Sequence, residues 1–148
     1  MMTNDGDLSY FQRQKLKNVG EEIFETYCAS KNYNLKRIGF DEKRNNIHNF
    51  FHLNVALRNI PDYILDTGDT TFVVNVKGTA NFKKSEIDLL PFFMEWYSSK
   101  KAPLIYAFCF DTIPTPIMLY PEQIIEKYNK LHDRQWKDGA IYRNLNFE

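Results

Sequence analysis

The stretch "IPDYILDTGDTTFVVNVKG", residues 60–78, decides how this chain is read. Two runs rich in apolar and β-branched residues flank Asp66, Thr67, Gly68 and Asp69, which is turn chemistry, so the segment reads as a β-hairpin. Alternation along the second run puts Val73, Asn75 and Lys77 on one face and Phe72, Val74 and Val76 on the other. The returning strand travels the length of the first, so Asn75 and Lys77 should lie level with, or just past, Asp62. An acid, an oxygen-donating amide and an ammonium would then meet at one sheet edge. One reading makes this edge an active site that holds a metal. The other makes it the end of a core strand that meets water beside Gly78. A lysine at a strand end is expected to contribute little to the core.

Outward from the hairpin, residues 8–30 predict a helix with an apolar stripe of Leu16, Val19, Ile23, Phe24 and Tyr27. Gly20 lies on that stripe, where a missing side chain lets another element approach closely. "YNLKRIGF" (33–40) alternates as a strand does, and 41–59 reads as a loop with a short helix or an edge hairpin. "SEIDLLPFFMEWYSSKK" (85–101) predicts a helix capped by Ser85, with Asp88 completing a capping-box-like start. Pro91 implies a kink or a later true start. Trp96 and Tyr97 are expected in the core. "PLIYAFCF" (103–110) suits a strand covered on both faces, and "TPIMLY" suits a further short one. "PEQIIEKYNKLHD" (121–133) predicts a helix with Pro121 at its first position. The tail is expected either to form a small hairpin about Asp138 and Gly139 or to dock on a partner. The implied fold class is α/β, a mixed central sheet flanked by helices.

The 148 residues suit one domain with one core, spanning 1–148, and a 43% hydrophobic content with 12 Phe and 9 Tyr excludes a disordered chain. The formal net charge of zero gives the whole molecule no pull toward polyanions, so a nucleic-acid surface has to be local. No window approaches 18 consecutive apolar residues, so no membrane span is expected. Cys28 and Cys109 stand far apart in apolar settings, which suggests buried thiols and a cytoplasmic location.

A helix carrying Gly20 and Glu21, a strand, then Pro61-Asp62, then Asn75-x-Lys77, then helix and strand, resembles the PD-(D/E)XK nuclease superfamily. That group includes Holliday-junction resolvases and many restriction endonucleases. The likeness covers about residues 18–110 and implies an αβββαβ core of restriction-endonuclease-like type. It implies a metal-dependent DNA endonuclease using Mg²⁺ or Mn²⁺. By the resemblance Asp62 is the bridging carboxylate, Asn75 the second metal ligand, Lys77 the motif lysine and Glu21 the helix carboxylate. Glu22 lies across the helix and is the lesser choice. The chain departs from the family at position 75, where Glu or Asp is usual. Hard cations prefer charged oxygen donors, so an amide there should weaken metal binding.

Lys43, Arg44 and Arg58 precede the proposed site in sequence, and Lys83 and Lys84 follow it. They are candidates for phosphate contacts, or else belong to solvated loops. His48 and His52 share zinc-ligand spacing but have no complementary Cys or His, and packing explains them better. Neutral overall charge suggests that affinity for DNA comes from a homodimer or another subunit. Two further readings stay open: a nucleic-acid- or protein-binding module in which Asn75 marks lost catalysis, and an interaction protein whose sheet only resembles the family.

Overall fold

A computed structural model describes residues 10–38, 61–99 and 101–147. The expected loop or hairpin at 41–59, with Lys43, Arg44, His48, His52 and Arg58, lies outside the described residues.

The hairpin forms as its sequence indicates. Strand β2 (Tyr63–Asp66) pairs antiparallel with β3 (Thr71–Lys77), Tyr63 opposite Val74 and Asp66 opposite Thr71. Gly68 takes the left-handed backbone the turn demands, at φ 95°, and the Asp66 carboxylate accepts its N–H at 2.8 Å. On the outer side of β2 lies β1 (Asn34–Arg37), antiparallel. On the far side of β3 lies β5 (Leu104–Phe108), parallel, followed by β6 (Ile117–Leu119), antiparallel. The five-stranded mixed sheet therefore runs β1-β2-β3-β5-β6. All five residues of β5 are buried, as a strand covered on both faces requires.

Helix α1 (Tyr10–Ser30) covers one face, where Phe24 and Cys28 pack with Tyr63, Leu65, Val74, Val76 and Ile105. Helices α2 (Lys84–Ser99) and α3 (Pro121–Asn129) cover the other, where Leu90, Phe93, Ile124 and Tyr128 pack with Val73, Tyr106 and Phe108. The fold is α/β with a mixed sheet between helices. Among the described residues no helix is long and apolar enough to cross a membrane.

Three expectations need correction. The buried face of α1 is not centred on the apolar stripe. Val19 is exposed, while Gly20, Glu21, Phe24 and Cys28 are buried, so the helix turns a partly charged face inward. Ser85 does not cap α2. Strand β4 (Asn81–Lys83) runs straight into the helix, leaving no loop in which a cap could sit, and α2 continues through Pro91 on its exposed side. Trp96 is not core either. It stands half-exposed and stacks on Phe92, whereas Tyr97 is partly buried against the core.

The tail forms its hairpin, β7 (Arg134–Gln135) with β8 (Ile141–Asn144), and Gly139 at φ 92° makes the turn. The hairpin does not stand alone. Strand β8 also pairs with β4, forming a second, three-stranded sheet, and Leu145 and Phe147 close over the α2 and α3 side of the core. Phe147 packs on Phe108 with ring centroids 4.8 Å apart.

Candidate active site

At the start of β2 the chain enters the sheet through Pro61, which has no N–H and a fixed φ. Carrying the hairpin register one step further sets Asp62 against Asn75. The backbone N–H of Val76 would lose its partner here. The Asp62 side chain takes over, its Oδ2 accepting that N–H at 2.8 Å. Asp62 thus extends the ladder with a carboxylate and is buried at the sheet's end. Its other oxygen, Oδ1, accepts from the Lys17 ammonium at 3.1 Å.

Lys17 and Glu21 come from one face of α1, a helical turn apart. They reach Asp62 because α1 touches the end of β3 backbone to backbone. A Cβ at Gly78 would lie 2.2 Å from the carbonyl oxygen of Leu16, and one at Gly20 would lie 3.1 Å from the Cα of Gly78. The close approach expected at Gly20 is met by a second glycine. Glu21 is buried, with its Oε2 ion-paired to Nη2 of Arg37 on β1 at 2.9 Å. Burial pushes the Glu21 carboxyl up, and the neighbouring Asp62 charge adds to this, against Lys17 and Arg37. Glu22 is exposed.

On the α2 and α3 side of the sheet, Asn75 is level with Tyr106 of β5. The Tyr106 hydroxyl donates to Glu86 Oε2 at 2.9 Å, and the Lys77 ammonium donates to Glu86 Oε1 at 2.5 Å. Lys77 also lies over the rings of Phe82 and Tyr106, 5.1 and 5.8 Å from their centroids. The lysine is therefore not a loose strand end. It is the cation of a buried glutamate. Burial acts to raise the Glu86 carboxyl, but the Lys77 charge and the hydrogen bonds from Lys77 and Tyr106 outweigh it and hold the group below its usual range.

A lowered carboxyl stabilises the fold at pH above its unfolded value, here the ordinary 4.5, and that contribution fades as pH falls through the lower folded value. Glu86→Gln should therefore lower stability at neutral pH and flatten its decline in acid. Unfolding by denaturant at a series of pH values from neutral to acid checks this. Parallel curves for parent and variant would show that Glu86 is not held low.

The structure brings Glu21, Asp62, Asn75 and Lys77 to one end of the sheet and adds Lys17, Arg37, Glu86 and Tyr106, which sequence reasoning passed over. Glu86 lies in the first turn of a predicted helix and Tyr106 in a predicted buried strand, where residue type and spacing mark neither as part of a site. Lys83 is placed on β4 with its ammonium 5.6 Å over Trp136, and Lys84 opens α2, paired with Asp88 at 3.1 Å on the surface. Both cysteines are free and buried, with burial pushing Cys28 up to about 11 and Cys109 to about 12, so neither thiol is primed as a nucleophile.

Among the described residues no group of three or more His, Cys, Asp or Glu could hold a metal ion. The oxygen donors here are two carboxylates, Glu21 and Asp62, and the Asn75 amide. They are hard donors of the kind Mg²⁺ takes. In chemistry the set fits a divalent ion, though each carboxylate already faces a cation of the protein.

No family model matches this chain, and no curated protein does. Among solved structures it is similar to Hjc, a Holliday junction resolvase from the archaeal hyperthermophile Archaeoglobus fulgidus. The sequence identity is 11%, the TM-score 0.49, and the likeness covers 86% of this chain and 87% of that one.

Proposed function

We propose that this chain is a nuclease domain of PD-(D/E)XK type that hydrolyses phosphodiester bonds in DNA with Mg²⁺ or Mn²⁺. The supporting observation is the hairpin register, which sets Asp62 level with Asn75 and just short of Lys77, while α1 adds the buried Glu21. Asp62, Glu21 and the Asn75 carbonyl would hold the ion, which would supply Lewis-acid stabilisation to the reacting phosphoryl group. The chain's own residues do the rest. Lys77 orients the attacking water or offsets the charge that grows on the phosphate, and Glu86 with Tyr106 fixes where its ammonium stands. Arg37 holds the Glu21 side chain toward the site. Lys83 and Lys84, with Lys43, Arg44 and Arg58, are the proposed phosphate contacts, and a homodimer would double that basic surface.

One observation favours a second reading, a DNA- or protein-binding module without catalysis. The acid usual at position 75 is replaced by Asn75, and Asp62 and Glu21 are each paired with a cation. The deciding experiment incubates the purified protein with supercoiled, linear, branched and single-stranded DNA plus Mg²⁺ or Mn²⁺. Cleavage that needs both the ion and Asp62 supports the nuclease. DNA binding that is indifferent to the ion supports the module.

Asn75→Asp sharpens the comparison. It adds a charged ligand beside Asp62, so calorimetry should find Mn²⁺ bound about tenfold more tightly, equivalent to about 1.4 kcal/mol. Cleavage should quicken with it. A folded variant whose ion binding and cleavage both match the parent would remove position 75 from the site.

A further inference from the structure

We propose that Lys17 is the resident counter-ion of this site: its ammonium, 3.1 Å from Asp62 Oδ1 and one helical turn before Glu21, holds the place that a divalent cation must take over. The inference rests on the metal reading above and concerns how that site is controlled.

The geometry carries it. Asp62 is a buried carboxylate whose Oδ2 is committed to the Val76 N–H, so Oδ1 is its one oxygen left for a cation, and Lys17 occupies it. An unpaired carboxylate at this depth would be costly, so the ion-free fold needs some cation here. The Lys17 side chain is 31% exposed, unlike that of Asp62 at 4%, so it has a path to solvent along its flexible stem. Glu21, the second carboxylate of the site, is buried and paired with Arg37 at 2.9 Å, so Lys17 is the partly exposed cation of the two. Arg37 differs from Lys17. It is tied to Glu21 at 2.9 Å, to Tyr63 at 2.7 Å and to Glu25 at 3.5 Å, anchors on three residues that hold it in place. A protein ammonium and a metal ion then compete for one oxygen. Ion affinity is set low, and the site is stable and closed until the ion arrives.

The test titrates Mn²⁺ alone into the parent, Lys17→Met and Lys17→Arg by calorimetry, with thermal melts of each. The methionine keeps the length of the stem and removes the charge. Lys17→Met should bind Mn²⁺ at least about tenfold more tightly than the parent, and Lys17→Arg should not. Without the ion Lys17→Met should melt lower than the parent, and Mn²⁺ should raise its melting temperature further. If the parent binds Mn²⁺ and Lys17→Met binds it no better, the counter-ion role is wrong while the metal site stands. If neither binds, both being folded by circular dichroism, the metal reading fails and takes this proposal with it. Should Lys17→Met not fold, Lys17 Cε can be followed by NMR in the parent during Mg²⁺ addition. A shift of that signal on saturation supports displacement, and an unmoved signal overturns it.

Discussion

Gly78→Ala is expected to destabilise the protein by about 3 kcal/mol, an overpacking cost at the upper end of the usual range because backbone must yield. The obstacle is the carbonyl of Leu16, 2.2 Å from where the new Cβ would stand, and Lys17 N is 2.9 Å away. A flexible side chain could swing aside at small cost, but a helix backbone cannot. Gly78 has no positive φ, so the requirement is for space and not for conformational freedom. Gly68 is the opposite case. Nothing lies within 4 Å of its missing Cβ, and its φ of 95° sets the cost of Gly68→Ala at about 1 kcal/mol. Gly78→Ala must also push α1 off the end of β3, taking Lys17 and Glu21 away from Asp62. Function at this site should fall further than stability alone explains. Denaturant midpoints for the two variants, with Mn²⁺ titrations, check both statements. Equal and small losses of stability would show that α1 does not rest on Gly78.

On the nuclease reading proposed above, Lys77→Ala should abolish cleavage, removing about 2–4 kcal/mol of transition-state stabilisation as the loss of an electrostatic stabiliser does. A strand-end lysine alone would leave folding intact. The structure changes that expectation. Glu86 is buried, and without Lys77 its carboxylate keeps the Tyr106 hydroxyl as its hydrogen-bond donor among the described residues, so Lys77→Ala should also cost about 3 kcal/mol of stability, as a buried charge without its ion-pair partner does. Lost activity in that variant would not by itself identify a catalytic group. Lys77→Met combined with Glu86→Gln separates the two effects. The pair removes both charges while keeping the stem over Phe82 and the hydrogen bond with Tyr106, and it should recover most of the stability. Cleavage should stay lost. A stable double variant that still cuts DNA would place Lys77 in the framework and not in the reaction.

The hairpin, its turn, the faces of Asn75 and Lys77 and their level with Asp62 were all legible locally, because period-two alternation and glycine at a turn are short-range signals. The same holds for α1 and α3, for the buried run of β5 and for the tail hairpin, each written in a few consecutive residues. Tertiary structure alone decided the rest. Strand β4 is three residues long and exists because β8, some sixty residues later, pairs with it. Lys17 meets Asp62 across 45 residues, and Tyr106 meets Glu86 across 20. No periodicity announces such pairings. The α1 stripe marks only part of the buried face, with Phe24, Ile23 and Tyr27 against the core and Val19 exposed, for the same reason. A charged face can be buried when its charges find partners on other elements, and those partners become visible only after the chain has closed. Asn75 is legible in the sequence as an amide two residues before Lys77 on one strand face. What only the folded chain decided is that its neighbours already hold a balanced set of charges, Lys17 against Asp62, Arg37 against Glu21 and Lys77 against Glu86, because a low-dielectric sheet end cannot keep three carboxylates without three cations nearby.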